Sequence, residues 1–293
     1  MKATTANTRR SPIPGFGLAL GCTLAYLGVI VLLPLAGVFF KTATLGPAEI
    51  WSIVSSPRVL AALKLSFGTA LLAATLNAVF GLLVAWVFVR YEFPFKRFFD
   101  AAIDLPFALP TAVAGIALTA LYSQNGWVGS LLEPAGFKVA YTPVGIAVAL
   151  TFIGLPFVVR TVEPVLRDAE KELEEAAASL GATRWQTITR VIFPSVLPAL
   201  LTGFALALAR GVGEYGSVIF IAGNIPFVSE IAPLLIVIRL EEFNYAGATA
   251  VAATMLVISF AMLLLINTLQ AWANRNRRKP ASAGAAAPKA SNS

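Results

Sequence analysis

The stretch from Leu65 to Val89 reads LSFGTALLAATLNAVFGLLVAWVFV, 25 residues without a charged side chain. A helix needs about 20 such residues to cross the hydrocarbon core of a bilayer. A strand-built barrel would instead show short segments of alternating hydropathy. Uncharged runs recur at Leu18–Phe40, Leu105–Ser123, Val139–Val159, Val191–Ala209 and Phe243–Asn274. Each reaches or nearly reaches spanning length. Of the 293 residues, 58% are hydrophobic and 13% charged, against roughly 25% charged in a soluble domain. The mean hydropathy is +0.79. These observations predict an all-α membrane protein with six transmembrane helices. The last run exceeds one span, and its helix is placed near Gly247–Ala271. The segment Ile231–Ile238, between Glu230 and Arg239, is too short to cross and reads as re-entrant or interfacial.

Lys and Arg set the orientation. With both termini in the cytoplasm, sixteen of the 22 basic residues fall in inside segments and five (Lys41, Arg58, Lys64, Lys138, Arg239) in outside ones. Arg210 falls within the membrane. The net charge of +7 therefore reads as membrane orientation and not as a nucleic-acid surface. The first run is too long for a signal-peptide core, so Met1–Gly17 reads as a cytoplasmic tail. The organisation expected is a tail (1–17), a first helix with its external loop (18–58), a helical membrane domain (59–274) and a basic, disordered tail (275–293). Cys22 is the single cysteine and there is no histidine. A disulfide framework and a Ser-His-Asp triad are excluded, and the commonest metal ligand is missing. No catalytic or metal-binding residue is expected.

The long polar connection is Arg160–Pro194. Leu166, Ala169, Leu173, Ala176 or Ala177, and Leu180 recur at helical spacing. Gly181 follows where a helix would close on a left-handed residue. Thr183 and Gln186 form a capping-box pattern opening a second short helix, with Trp185, Ile188 and Ile192 on one face. Pro194 and Pro198 mark the approach to the fifth span. The reading is helix, tight turn, helix, outside the bilayer. Residues 163–175 hold six carboxylates against two basic side chains. Such an amphipathic segment either connects two spans passively or docks on a cytoplasmic partner.

Here the sequence resembles a known family. Glu175-Ala176-Ala177, three residues, Gly181, nine residues, then Val191-Ile192-Phe193-Pro194 is similar to the EAA loop of ABC importer permeases. The family's usual close is Ile, any residue, Leu, Pro, so Val191 and Phe193 are mild departures. The resemblance implies a type I ABC importer permease bundle with a cytoplasmic coupling helix, in which Glu175, Ala176, Ala177, Leu180, Gly181 and Trp185 meet a nucleotide-binding subunit. The stretch from Arg210 through Glu214, Tyr215 and Ser217 to Asn224 is similar to the fifth-span segment of sulfate and molybdate permeases. Asp104–Gly115 with Ser123–Trp127 resembles the T-type subunit of sulfate/thiosulfate importers. The implied partners are a W-type permease in a heterodimer, two ATPase subunits and a periplasmic sulfate/thiosulfate-binding protein, at a bacterial inner membrane. The chain has no phosphate-cradling Gly-x-x-x-x-Gly-Lys-Ser/Thr motif, so ATP and Mg are expected on the partner ATPase. Molybdate or tungstate is the alternative cargo. A secondary anion transporter is the rival class, but no internal repeat is evident.

Arg210 and Glu214 form the intramembrane charge pair. Four residues apart, they can neutralise each other on one helix face. They either let the helix insert or, with Tyr215, Ser217 and Asn224, line a pathway or gate. Pro106 and Pro110 are expected to bend the third span, with Gly115 and Thr111 allowing close helix contact. Asp104 is read as a carboxylate favoured at a helix N-terminus. Trp51, Trp127 and Trp272 read as interfacial anchors.

Overall fold

The computed structural model describes residues 15–168 and 171–277, without the side chains of 171–173 and 272–277. Residues 1–14, Ala169, the tail beyond 277, and the side chains of Leu173 and Trp272 lie outside the described residues. Among those described, every regular element is a helix. In chain order they are α1 (Phe16–Ala43), α2 (Pro47–Val54), α3 (Pro57–Arg90), α4 (Lys96–Ile103), α5 (Leu105–Ala108), α6 (Thr111–Tyr122), α7 (Gly129–Leu132), α8 (Pro143–Arg167), α9 (Lys171–Ser179), α10 (Arg184–Val212), α11 (Val218–Ala222), α12 (Ala232–Glu241) and α13 (Tyr245–Arg277). Helices α1, α3, α8, α10 and α13 are long and apolar enough to span.

The third run differs from expectation. It is broken, not bent, and α6 alone is about 18 Å long at ~1.5 Å per residue. Pro106 sits in the first turn of α5, where its missing N–H costs nothing. Pro110 forces the break. Leu109 before it is extended (φ −83°, ψ 135°), and Pro110 itself becomes the N-cap of α6.

The fifth span also starts earlier than expected. The short helix opened by Thr183 does not end before Pro194. It continues as α10 through a π-helical turn at Ile188–Ile192. The Phe193 N–H donates to Ile188 O, five residues back, just ahead of Pro194. In α1 the same device precedes Pro34, where Leu33 N–H reaches Gly28 O. A widened turn lets the helix pass a residue whose ring would strike the preceding carbonyl. Leu166, read as the start of the hairpin stripe, instead lies buried in the last turn of α8.

Helices α3, α8 and α10 pack on one another and form the heart of the bundle. Their shared core holds many small and β-branched residues, among them Ala70, Ala73, Ala74, Ala85, Val158, Val159 and Ala207, together with the larger Leu150 and Leu208. In lipid, apolar burial between helices gains little, so close approach and dispersion drive association. Gly154 on α8 shows how tight the contact is, because a Cβ there would overlap the amide of buried Asn77. Helix α13 packs on α10 and α12 and supports α1. Apart from Thr42, α1 has no buried residue.

The short helix α12 matches the segment read as non-spanning. It is pinned to α3 by long-range polar contacts. Arg58 grips Glu230 in a bidentate pair at 2.8 and 2.6 Å, and Ala232 N–H donates to Ser66 Oγ at 2.8 Å. Burial lowers the pKa of Arg239, with the positive charge of Arg58 adding to the effect. Its guanidinium donates to Gly247 O at 3.1 Å.

Candidate functional site

The hairpin after α8 is shaped by its ends. Helix α9 closes on Gly181 at φ +79°, a conformation that costs an L-residue about 1–2 kcal/mol. Ala182 N–H donates to Ala177 O at 3.0 Å, and Gly181 N–H to Ala178 O at 3.0 Å. These two bonds are the Schellman closure, and they satisfy carbonyls that α9 would leave orphaned. Two residues later, Gln186 N–H donates to Thr183 Oγ1 at 3.3 Å while Thr183 N–H donates to Gln186 Oε1 at 2.8 Å. The capping box is therefore formed, and the turn is fixed from both sides.

That turn projects apolar surface that is left exposed among the described residues. Leu180 is 88% exposed and Trp185 73% exposed. Glu175 and Ala176 are also exposed, and Ala177 is half-buried. Glu175 carries no ion pair among the described residues, whereas its neighbour Glu174 is bound to Arg90. The Arg90 guanidinium lies 5.4 Å from the Trp86 ring centroid one turn back. Arg90 and Glu174 are thus an internal brace that holds α9 to the end of α3. Sequence reading missed both. Arg90 is visible as the charge closing an uncharged run four residues after Trp86, but nothing local signals a partner 84 positions away.

The second candidate lies at the other end of α10, roughly 40 Å from Arg184 at ~1.5 Å per residue. The helix stops at Val212, the chain crosses 213–217 without regular structure, and α11 follows. Arg210 and Glu214 form the expected ion pair. Glu214, 3% exposed, also accepts from Ser217 N–H at 2.9 Å and Ser217 Oγ at 3.0 Å. Its charge is therefore satisfied from three donors, as a buried carboxylate requires. Tyr215 is half-buried against the main core. Asn224 stands apart at φ 51°, its Oδ1 buried without a hydrogen bond. The structure thus joins Arg210, Glu214 and Ser217, and does not join Tyr215 or Asn224 to them.

Helix α6 locks this loop in place. A Cβ on Gly115 would overlap the Ser217 carbonyl, and one on Gly216 would overlap the Thr111 hydroxyl. The close contact expected of Gly115 and Thr111 is therefore made with the loop after α10. Asp104, by contrast, makes no cap bond at α5. Its carboxylate accepts from Arg160 Nε at 2.9 Å and Nη2 at 2.7 Å. Arg160 also reaches Asp100 Oδ1 at 2.8 Å and Glu163 Oε2 at 2.9 Å, and Arg167 pairs with Glu163 as well. A bidentate fork to a carboxylate outweighs a helix-end dipole, which explains the difference.

Residues 77–279 match the family described as the binding-protein-dependent transport system inner membrane component. The chain belongs to this family. It is a transport-system permease of the inner membrane, crossing it several times. The permease is 51% identical over 253 residues to the sulfate transport system permease protein CysT of Synechocystis sp., covering 86% of this chain and 88% of that one. It is 48% identical over 265 residues to the CysT protein of Escherichia coli, covering 90% and 96%. Among solved structures it resembles a bacterial ABC transporter involved in the import of the acidic polysaccharide alginate, with TM-score 0.72, 17% identity and coverage of 90% and 96%. It also resembles a methionine ABC transporter in an inward-facing conformation, with TM-score 0.54, 16% identity and coverage of 74% and 99%. At such identities the likeness is one of fold, that of the type I ABC importer permease.

Proposed function

We propose that this chain is the membrane-spanning permease subunit of an ATP-driven sulfate importer. The observation that carries the reading is the doubly capped hairpin on which Leu180, Trp185 and Glu175 are all exposed. Capping of this quality holds a surface in one shape, and an uncovered Leu–Trp pair outside the membrane calls for a partner. The cargo is inferred from relatives near half-identity named as sulfate permeases. Thiosulfate is included as a second cargo.

In this reading 59–274 is the permease domain, both termini are cytoplasmic, and the basic excess of the inside segments supports that orientation. Two ATPase subunits bind ATP and Mg and grip the hairpin. A second, W-type permease completes a heterodimer around the path, and a periplasmic binding protein delivers the anion. The chain itself performs no hydrolysis. Closure of the ATPase pair moves its docking clefts, and the hairpin passes that motion to α8 and α10, the two helices it joins.

A transporting subunit must release its cargo. Sulfate is an acceptor-only dianion that is held by N–H and O–H donors. Arg210, already offset by Glu214, is a weak anion site, so selectivity rests with the binding protein. The test is uptake of labelled sulfate by vesicles containing the whole complex, with and without this chain, ATP and the binding protein, and with molybdate as competitor. Uptake needing all three components, and resisting equimolar molybdate, supports the proposal. Uptake without ATP, or preference for molybdate, overturns it.

A further inference from the structure

We propose that Arg160 is a positioning residue that carries the motion of the hairpin to α6 and so to the Glu214 loop. This rests on the permease reading above. Only residues 168–170 separate α8 from α9, so a displacement of α9 acts on the last turns of α8, as it acts on α3 through Glu174 and Arg90. Arg160, Glu163 and Arg167 lie on one face of those turns, at spacings of three and four. There Arg160 grips Asp104 through Nε and Nη2, and Asp100 through its carboxylate and, at 3.0 Å, its carbonyl. Phe107 packs edge-on to Phe157 at 5.1 Å beside this grip. The seized segment, α4 to α5, leads through the Leu109–Pro110 break into α6. Helix α6 in turn is interlocked with the loop that holds Glu214, through Gly115 on Ser217 and Thr111 on Gly216. From Arg160 to the Glu214 loop, the path thus runs through side-chain grips, the α5–α6 connection and close backbone contacts.

The arrangement is specific without contributing much stability. The Asp100 and Asp104 side chains are 45% and 47% exposed, and ion pairs so open to solvent stabilise little. A fork of two parallel N–H donors on one carboxylate nevertheless fixes direction as a single ammonium cannot. Loss of the grip should therefore disturb coupling far more than folding.

The test uses the whole complex in vesicles and reads anion uptake per ATP hydrolysed. In Arg160→Gln and in Asp104→Asn, the expected result is ATP hydrolysis within about twofold of wild type and uptake per ATP lower by about fivefold or more. Arg160→Lys should recover only part of the ratio. An unchanged ratio in both variants, or hydrolysis and uptake falling together in both, overturns the proposal. Asp104→Asn keeps the test decisive if Arg160→Gln fails to assemble. A second readout does not depend on the anion. With Cys22→Ser and Ala120→Cys, ATP should change the rate of thiol labelling on α6 in the parent but not when Arg160→Gln is added. No ATP-dependent change in the parent, or an equal change in the variant, also overturns it. Failure of the wild-type complex to take up sulfate would instead count against the proposed cargo and leave the labelling result to decide on Arg160.

Discussion

Replacing Gly181 separates the shape of the hairpin from its surface. At φ +79° an alanine costs about 1–2 kcal/mol, and 1.4 kcal/mol is a tenfold change in an equilibrium. Gly181→Ala should thus shift the balance between the closed turn and a frayed α9 end by roughly tenfold. A Cβ here meets nothing within 4 Å, so no clash arises inside the chain and the added atoms point outward. Asn tolerates the left-handed region, so Gly181→Asn removes most of the strain and keeps the added bulk. Gly181→Asp adds a negative charge to the exposed turn. Membrane insertion and protein level should stay within about twofold in all three, because the turn buries nothing. In vesicles with the complete complex, Gly181→Asp is expected to abolish sulfate uptake. Gly181→Asn should fall well below wild type although its turn is relaxed. Uptake by Gly181→Asp at the wild-type rate and level would refute the reasoning. Near-normal uptake by Gly181→Asn with a strong defect in Gly181→Ala would show that only turn geometry matters and no partner sits there.

Other outcomes follow from the same contacts. Glu174→Gln releases α9 from Arg90, and because the pair is partly exposed the stability change should be below about 1 kcal/mol; uptake should fall about two- to fivefold while the thermal midpoint barely moves. Glu214→Ala should destabilise the chain in detergent more than Arg210→Ala, because it strands Arg210 and both Ser217 donors at once, whereas Arg210→Ala leaves Glu214 its two Ser217 donors; equal midpoints for the two would contradict this. Arg210→Ala is expected to lower the rate of uptake without altering which anion competes best, and a changed order of competing anions would argue that Arg210 selects cargo. Gly115→Val should prevent a stable bundle, since the new side chain meets the Ser217 backbone, and folded protein at wild-type yield would show that α6 can stand off from the loop.

Features with a local cause were legible in the sequence. Five of the six runs became helices long and apolar enough to span, because an uninterrupted uncharged run satisfies its backbone as one helix. Gly181, the Thr183–Gln186 box and the Arg210–Glu214 pair each depend on residues within four positions, and each formed. The third run misled because hydropathy registers composition and not continuity: Leu105–Ser123 is apolar throughout, yet Pro110 divides it. The start of α10 was misplaced for the opposite reason. Pro194 looked like a boundary, but a π turn let the helix continue. The Arg160 cluster and the Arg90–Glu174 brace were invisible because their partners lie 56, 60 and 84 positions apart. No periodicity encodes such pairs. The only available hint was the presence of charges at the ends of uncharged runs, where a partner is needed to hold them.

The hairpin acts as a coupling element only if another polypeptide clasps it. With Cys22→Ser and Leu180→Cys, thiol labelling can be followed in the chain alone and in the assembled importer. Fast labelling alone and strong protection in the complex, lifted when the ATPase subunits are stripped away, is the expected result. A Leu180→Cys thiol that labels equally fast in both would contradict the account.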